Sequence, residues 1–446
     1  MKNTLSLDDI AKFDKNYSSN KDYLVSERAV TKNGIDASCV DDALKNQVNP
    51  TFSVEINAGT ITNQQKSGRC WMFSGLNVIR TALINKFEVK NLELSQAFLQ
   101  FYDKLEKANF FLEKMIALAN EDYDSRHNVF MIDTAFMDGG HWAMFVNLVK
   151  KYGICPSQFM PDSIVSSNTS ELNSTLTTLL TKDASILRKA VKAKKEQSEI
   201  ENMKSDMLNE VYRILAISLG LPPKSFTLEY KDKNDKFARL PQMTPVEFFK
   251  TYITIDLDDY ISLCDSPLIS WKKMASYTCP YVNNMVNGEP VVFFNCGIEP
   301  MKKAVINSLK DHEPVFFSSD VLSQSIRKEG VLANGILKRE ELFHVNLTAD
   351  KQTRVSYRSS FCNHAMTFTG VNLDDNGNPN RYKVENSWGK DNGTDGFFVM
   401  DDAWFDNYVF QVLVNKKYID QDIVKTYEKN KLIEVEPFNT MWMNLD

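Results

Sequence analysis

Apolar residues first recur at a regular spacing in the segment that follows Cys70. Steps of three and four residues place them on one face of a helix that begins at Cys70. The same spacing predicts a second helix over residues 95–119, with Ser95 as its N-cap. A third predicted helix follows the glycine pair at 139–140, and Gly153 closes it. The apolar positions of the first helix are Met72, Leu76, Ile79, Leu83 and Phe87.

The middle of the chain, from about residue 161 to 285, is rich in Lys, Glu, Ser and Thr. One long helix is predicted there over residues 184–220, because the segment carries an apolar stripe and Gly220 ends the pattern. Thr244 as N-cap and Pro245 at the first helical position predict another helix. The stripe of the long helix consists of Ile200, Met203, Met207, Val211 and Ile214.

From about residue 290, short apolar runs bounded by turn residues replace the helical spacing, and they predict β-strands. Residues 364–373 and 381–388 flank a dense turn cluster, so we expect them to form neighbouring strands. Residues 1–50 show no clean period and are predicted to form an arm with some local structure. The chain therefore changes from helical to strand-like character in its last third.

The charge balance argues against one class of partner. The 446 residues carry a net charge of −6, and the contents of hydrophobic (43%) and charged (25%) residues are near the globular average. A nucleic-acid-binding protein usually shows a basic excess. The best basic run, residues 188–195, is followed on the same predicted helix by acidic residues, which indicates a solvated face of mixed charge. Nucleic acid is therefore not an expected partner.

The chain shows no run of about 18 apolar residues and no apolar signal segment at its N-terminus, so neither a membrane span nor secretion is expected. Its seven cysteines are scattered and odd in number, and they include no CxxC pair. This pattern is typical of reduced thiols in the cytoplasm. It argues against a disulfide framework and against a zinc site.

Cys70 is a candidate nucleophile, because the start of a helix favours the thiolate. The alternative is a buried cysteine that merely opens a helix, so partners elsewhere in the sequence must decide. His364, at the start of a predicted strand, can act as the base, and Asn386 on the neighbouring strand can orient its imidazole ring. Gln64 and the Cys70 backbone N–H can form a two-donor oxyanion hole. Trp388 can shield the His364–Asn386 hydrogen bond from water.

The segments around these residues resemble the papain-like cysteine peptidases. NQQKSGRCWMFS is similar to the family's glutamine-to-cysteine stretch, NHAMTFTG to its histidine strand and VENSWG to its asparagine–tryptophan element. The resemblance implies that Cys70, His364 and Asn386 are the catalytic residues, and it places Gln64 in the oxyanion hole.

The same resemblance implies a substrate-binding wall. The segment DGGHW is similar to the glycine pair that lines the S2 side of the cleft in these peptidases. Gly139 and Gly140 are therefore candidate substrate-binding residues, together with Trp388 and, at the end of the chain, Asp446.

The spacing of the motifs points to one branch of the family. His364 follows Cys70 by roughly 290 residues, against roughly 130–150 in papain, which leaves room for a large insertion. Nearly the whole chain resembles the bleomycin hydrolase and bacterial aminopeptidase C branch. This implies an α+β fold of two lobes, one helical and one antiparallel and β-barrel-like, with a large helical insertion. The expected division is 1–50 as N-terminal arm, 51–160 as helical lobe with the nucleophile helix, 161–285 as helical insertion, 286–435 as β-rich lobe and 436–446 as C-terminal arm in the active-site cleft.

That branch implies a cytoplasmic homohexamer that hydrolyses peptides without a cofactor or a metal. Its C-terminal arm blocks the non-primed side of the cleft, so that only free N-termini are cleaved, and Asp446 is expected to pair with the substrate ammonium group. The last residues, from Trp442 on, are bulkier or more polar than the branch's usual small-residue ending. Two alternatives therefore stay open: an oligopeptide endopeptidase with an unblocked cleft, and a non-catalytic oligomer that binds nucleic acid or another partner. For Lys66 and Arg69 the sequence indicates no role beyond a local positive field near Cys70.

Overall fold

The computed structural model describes residues 4–134 and 136–442. The helices of this part lie mainly before residue 310, and several flank the sheet described below. They are α1 Leu7–Ser18, α2 Lys21–Asn33, α3 Asp42–Lys45, α4 Cys70–Phe87, α5 Gln96–Ala117, α6 Arg126–Thr134, α7 Trp142–Tyr152, α8 Ile164–Ser167, α9 Ser170–Lys192, α10 Gln197–Leu219, α11 Pro245–Tyr252, α12 Ile298–Lys310, α13 Arg339–Phe343, α14 Lys351–Ser356, α15 Asp402–Tyr408 and α16 Gln421–Lys429.

Most of the β-strands belong to the second half of the chain. They are β1 Val54–Glu55, β2 Glu229–Lys231, β3 Phe237–Arg239, β4 Tyr260–Cys264, β5 Ser276–Thr278, β6 Val292–Asn295, β7 Val315–Ser319, β8 Ser325–Ile326, β9 Val331–Leu332, β10 His364–Leu373, β11 Pro379–Glu385, β12 Phe397–Asp401, β13 Val409–Asn415 and β14 Leu432–Glu434. Apart from the β2–β3 hairpin they form one large mixed sheet, in the order β14-β5-β6-β4-β13-β7-β10-β11-β12-β9-β8, and β1 pairs with β10.

The centre of the sheet is antiparallel, as the family resemblance implies. Strands β4, β13, β7, β10, β11 and β12 pair antiparallel in turn, and the predicted neighbours β10 and β11 meet with Val371 opposite Tyr382. Three parallel pairs, β4–β6, β5–β14 and β9–β12, were not predicted. Strands β4 and β5 also join this sheet, although they precede residue 286. The division into five parts stays a prediction, but the sheet begins earlier in the chain than the composition indicated.

The helix predicted to begin at Cys70 is confirmed as α4, and its whole apolar stripe is buried. The remaining faces of α4 are largely buried as well, because sheet strands cover one side and helices the other. At Gly75 the ring of Phe145 in α7 comes so close that a Cβ atom would lie 2.8 Å from it. The helix is therefore held in a fixed position between the two layers.

The predictions for α5 and α7 are also confirmed. The Ser95 hydroxyl accepts a hydrogen bond from the Phe98 backbone N–H at 3.0 Å, and Gly153 ends α7 with a φ of 77°. The spacing of apolar residues did not predict that α5 also buries charged side chains, among them Lys104 and Lys107. These two lysines reach the candidate site.

The prediction of a single long helix over residues 184–220 is wrong. The structure has two helices, α9 and α10, and between them Lys194 adopts a left-handed conformation with a φ of 55°. The break lets both helices pack against α5 and against each other. The apolar stripe and the stop at Gly220 are confirmed, since Ile200 and Val211 are buried and Gly220 caps α10.

The basic run at 188–195 is only partly solvated. Arg188 is buried and donates hydrogen bonds to the Leu118 and Glu121 carbonyl oxygens and to Asn128 Oδ1. On the exposed side Lys195 pairs with Glu199, as expected for a face of mixed charge. Since Arg188 is used inside the fold, the run offers a smaller cationic surface than its sequence indicates.

Among the described helices, none combines the length and the apolar character needed to cross a bilayer.

Helix α4 is tied to the sheet by buried polar contacts. The Ser74 hydroxyl donates to the Met366 carbonyl oxygen at 2.7 Å and lies 2.9 Å from the Thr367 hydroxyl. Nearly two turns further along, Arg80 pairs with Glu385 of β11 and donates to the Ala58 carbonyl oxygen at 2.6 Å. Burial raises the pKa of Glu385 to about 7, although Arg80 and Lys383 oppose this.

We predict that Arg80→Met lowers the free energy of unfolding by about 3 kcal/mol at pH 8, since a buried carboxylate loses its cation. The loss should be smaller at pH 6. A raised pKa in the folded state means that stability falls as pH rises through about 7. Urea unfolding followed by circular dichroism measures both values.

Arg239→Met is the matched control, because Arg239 forms an ion pair with Glu229 in which both side chains are about half exposed. Its expected cost is below about 1 kcal/mol. Equal losses in the two variants would contradict a special role for the Arg80–Glu385 pair.

Candidate active site

Cys70 lies at the junction of the helical layer and the sheet. It is the first residue of α4 and is 7% exposed, and the Ala365 backbone N–H points to its sulfur, with an N···Sγ distance of 3.5 Å. Both the helix N-terminus and this N–H favour negative charge on the sulfur. The local environment is therefore suited to a thiolate.

His364 and Asn386 lie next to each other, His364 as the first residue of β10 and Asn386 directly after the last residue of β11. The His364 Nε2 atom is 2.8 Å from Asn386 Oδ1, which also accepts a hydrogen bond from the Ser387 backbone N–H at 2.8 Å. Because an amide oxygen only accepts, Nε2 carries the imidazole proton and Nδ1 stays available as a base. The Trp388 ring lies 4.6 Å from the imidazole, centroid to centroid, and covers it.

The protonation of His364 is governed by burial. Burial lowers the pKa of His364 to about 4, against the opposing effect of the hydrogen bond to Asn386. A neutral imidazole is therefore favoured unless a negative charge forms beside it. A thiolate beside the ring would stabilise the imidazolium in addition to the hydrogen bond to Asn386.

Gln64 is held with its side chain at the same site. Its Oε1 accepts from the Ser387 hydroxyl at 2.6 Å, its Nε2 donates to the Ser67 carbonyl oxygen at 2.6 Å, and its backbone N–H donates to the Ser387 carbonyl oxygen at 2.8 Å. An amide NH₂ has a second hydrogen. Gln64, Cys70, His364 and Trp388 together line a cavity of about 610 Å³.

Ser387 was missed in the sequence, although it directly follows Asn386. It serves Asn386 through its backbone N–H and Gln64 through its hydroxyl. No pattern of hydrophobic positions distinguishes such a serine from one in a turn. Its adjacency to the candidate Asn386 was the only signal.

The predicted glycine wall is packed against α4. A Cβ atom on Gly140 would lie 2.5 Å from the Trp71 ring, so this position has no room for a side chain. The Trp71 indole N–H donates to the Asp138 carbonyl oxygen at 2.8 Å, and Lys107 Nζ donates to the Gly139 carbonyl oxygen at 2.7 Å. Both glycines line a small cavity that also contains Cys70 and His364.

Asp138 connects this wall to the segment that precedes Cys70. Its carboxylate is 2.6 Å from Lys104 Nζ and accepts from the Gly68 backbone N–H at 3.0 Å and from the Thr169 hydroxyl. Burial alone raises the pKa of Asp138, but Lys104 and these hydrogen bonds hold it well below its usual range. The sequence interpretation used only the glycines of this motif and missed the aspartate.

Arg69, for which the sequence indicated only a local positive field, has a structural partner. Arg69 is buried and donates to both carboxylate oxygens of Asp162, at 2.7 and 3.3 Å, and to the Ser67 hydroxyl at 2.9 Å. Its charge is therefore paired with a carboxylate, and the side chain anchors the loop that precedes Cys70. Lys66 is exposed, and its backbone pairs with Asn168.

One predicted substrate-binding residue cannot be placed. Asp446 lies outside the described residues, which end at Trp442. The structure thus brings together Gln64, Cys70, His364 and Asn386, with Trp388 and the glycine wall beside them.

Comparison with known proteins gives full-length matches. A sequence model of the Peptidase C1-like family matches residues 4–442. Aminopeptidase C of Listeria innocua is 41% identical over 441 residues, which cover 99% of each chain. Aminopeptidase C of Lactobacillus delbrueckii subsp. lactis is 40% identical over 443 residues, 99% of this chain and 98% of that one. A crystal structure of PepW from Lactobacillus rhamnosis HN001 has a TM-score of 0.95 at 40% identity, with 99% of both chains covered.

We predict that His364 keeps a pKa near 4 in a Cys70→Ser variant, because burial dominates once no thiolate can form. Since the unfolded chain binds this proton more tightly, with a pKa of about 6.5, the variant should lose stability as pH falls from about 6.5 towards 4. Imidazole NMR titration measures the pKa directly, and wild-type protein is the reference. A titration midpoint near 6.5 in the variant would contradict the role given to burial.

Proposed function

The chain belongs to the Peptidase C1-like family, and on this premise we propose that it is a cysteine aminopeptidase with Cys70 as nucleophile and His364 as base. The family and the α+β fold predicted from the sequence are confirmed by the full-length matches. The observation that carries the proposal for the site is geometric. Gln64, Cys70, His364 and Trp388 line one cavity, and Asn386 holds the imidazole from behind.

In the proposed reaction His364 Nδ1 takes the thiol proton of Cys70, and the thiolate attacks the scissile carbonyl carbon. The Cys70 backbone N–H and the Gln64 side-chain amide donate hydrogen bonds to the oxyanion. His364 then protonates the leaving amine, which leaves an acyl group on the Cys70 sulfur. A water molecule, deprotonated by His364, hydrolyses this thioester and restores the thiol. Asn386 keeps the ring in the tautomer that these steps need.

The C-terminal arm is proposed to restrict this chemistry to free N-termini. The described part of the arm is supportive, since Thr440, Met441 and Trp442 are buried, and Trp442 lines a cavity together with Gly139 and Gly140. In this proposal a carboxylate of Asp446, which lies outside the described residues, pairs with the substrate ammonium group. The alternative is an endopeptidase whose cleft the arm leaves open.

We further propose that the protein is cytoplasmic and assembles into a homohexamer. Helix α1 presents an apolar stripe to solvent, formed by Leu7, Ile10, Phe13 and Tyr17, of which Leu7 is 87% exposed. An uncovered stripe at helical spacing is typical of a subunit interface. All seven cysteines lie in the described part of the chain as buried thiols, which agrees with a reducing compartment.

Cys70→Ala should lower the hydrolysis of aminoacyl reporter substrates by at least about 10⁴-fold, because no other group can form the acyl intermediate. The measurement is initial rate at saturating reporter. Cys39→Ala, which removes another buried thiol far from the site, is the matched control and should retain activity. Comparable activity in Cys70→Ala and wild type would refute the mechanism.

Deleting residues 443–446 should convert the enzyme towards endopeptidase action. Peptides blocked at the N-terminus by acetylation are expected to be cleaved internally by the shortened protein and rejected by the full chain, because the cleft is then open on its non-primed side. Mass spectrometry of the products identifies the cleaved bonds. If the full chain already cleaves acetylated peptides internally, the endopeptidase alternative is correct.

A further inference from the structure

Lys66 belongs to the motif that precedes Cys70, but its side chain takes no part in the proposed reaction. The structure fixes its backbone: the Lys66 N–H donates to the Ser167 carbonyl oxygen at 3.0 Å, and the Lys66 carbonyl oxygen accepts from the Thr169 backbone N–H at 3.4 Å. The side chain itself is exposed and lines the cavity of about 610 Å³ that contains Cys70. An ammonium group is therefore held at the catalytic cavity.

The charges around this cavity leave the Lys66 ammonium group available to a ligand. Lys66 is the only lysine or arginine among the described residues that line the cavity. Of the two aspartates that line it, Asp138 is paired with Lys104, whereas Asp133 is exposed. In the described part of the chain, neither of them nor any other carboxylate forms an ion pair with Lys66. A carboxylate that enters the cavity thus meets an unneutralised cation.

The cavity also contains the groups that face the leaving part of a peptide. In the proposed reaction His364 protonates the leaving amine, so the residues after the scissile bond lie on the His364 side of Cys70. His364 and Trp388 line the same cavity as Lys66, whereas the glycine wall lines two other cavities. The chain that leads to Lys66 runs along this side, because Asn63 forms a β-bridge with Trp388. The leaving part of the peptide is therefore the part that reaches Lys66.

We infer that Lys66 is a specificity-determining residue, which binds a carboxylate on the leaving part of the peptide. A charge-assisted hydrogen bond from its ammonium group is the recognising contact. The carboxylate can belong to the C-terminus of a dipeptide or to an acidic side chain at the second residue, and both present the same oxygen atoms. The inference rests on the proposed function and names the substrates that it favours. Because the side chain is exposed, the ion pair gives a preference of about threefold rather than a strict requirement.

The test uses two matched pairs of peptides with a free N-terminus. Alanyl-alanine is compared with alanyl-alanine amide, and alanyl-glutamate α-amide with alanyl-glutamine α-amide, so that each pair differs by one carboxylate. The proteins are full-length wild type, Lys66→Met, Lys66→Arg and, as control, Lys224→Met. Lys224 is an exposed lysine after α10 and lies outside the cavity. The measurement is kcat/KM for release of the first alanine, followed by chromatography.

Lys66→Met should lower the ratio of kcat/KM for the carboxylate-bearing peptide to that for its amide partner about threefold in at least one pair, since it removes the charge and keeps an unbranched side chain. The pair that responds identifies the source of the carboxylate. Lys66→Arg should keep the wild-type ratio, and so should Lys224→Met. Raising the salt concentration from about 0.05 to about 0.5 M should reduce the wild-type ratio more than the Lys66→Met ratio, because salt screens an exposed ion pair.

An unchanged ratio in both pairs would overturn the inference. An equal loss of kcat/KM on all four peptides would overturn it too, because Lys66 would then only shape the loop. Neither outcome contradicts the proposed function, since the peptides are still hydrolysed at the first bond. The proposed function itself fails if wild-type protein releases no alanine from any of the four peptides, or if Cys70→Ala releases it as fast as wild type.

Discussion

The docking of helix α4 on strands β10 and β11 is the constraint on which the candidate site depends. Cys70 belongs to the helix, whereas His364 begins β10 and Asn386 directly follows β11. Apolar packing alone would allow the helix to slide, since it is not directional. Directional contacts set the register instead: Ser74 with Met366 and Thr367, and Arg80 with Glu385. With that register fixed, the Cys70 sulfur comes within 3.5 Å of the Ala365 backbone nitrogen, beside His364.

Directional contacts also hold the glycine wall of the cleft in place. Asp138 accepts a hydrogen bond from the Gly68 backbone N–H and pairs with Lys104, so it links the loop before Cys70 to the glycine wall. Trp71, which directly follows Cys70, packs against Gly140 and donates to the same aspartate's carbonyl oxygen. Gly140 and Cys70 therefore share their supports.

Local patterns in the sequence predicted those features of the fold that depend on neighbouring residues, such as helix starts, caps and stops. The period after Cys70, the Ser95 cap and the Gly153 stop each lie within a few turns of the helices they define, and all were confirmed. The turn cluster between β10 and β11 predicted their pairing for the same reason. The break at Lys194 could not be predicted, because it depends on both α9 and α10 finding space against α5.

Long-range partners were the other limit. Arg69 reads as a free cation beside the thiol until Asp162, far along the chain, is seen to neutralise it. A short stretch of sequence likewise does not predict that Glu385 pairs with Arg80. It also does not predict that β4 and β5 join the sheet. Among the site residues, those with strong chemical roles were identified by type and motif, whereas Ser387 and Asp138 act through hydrogen bonds that only the folded chain creates.

The central claim is that Cys70 carries the acyl group during turnover, and trapping that intermediate tests it most directly. The enzyme is mixed with an aminoacyl ester, quenched in acid within the first turnover and digested, and the adduct is located by mass spectrometry. The account predicts one acyl group, on the peptide that contains Cys70, and none on the other six cysteines. Turnover that proceeds with Cys70 unmodified, or with the acyl group on another residue, would contradict it.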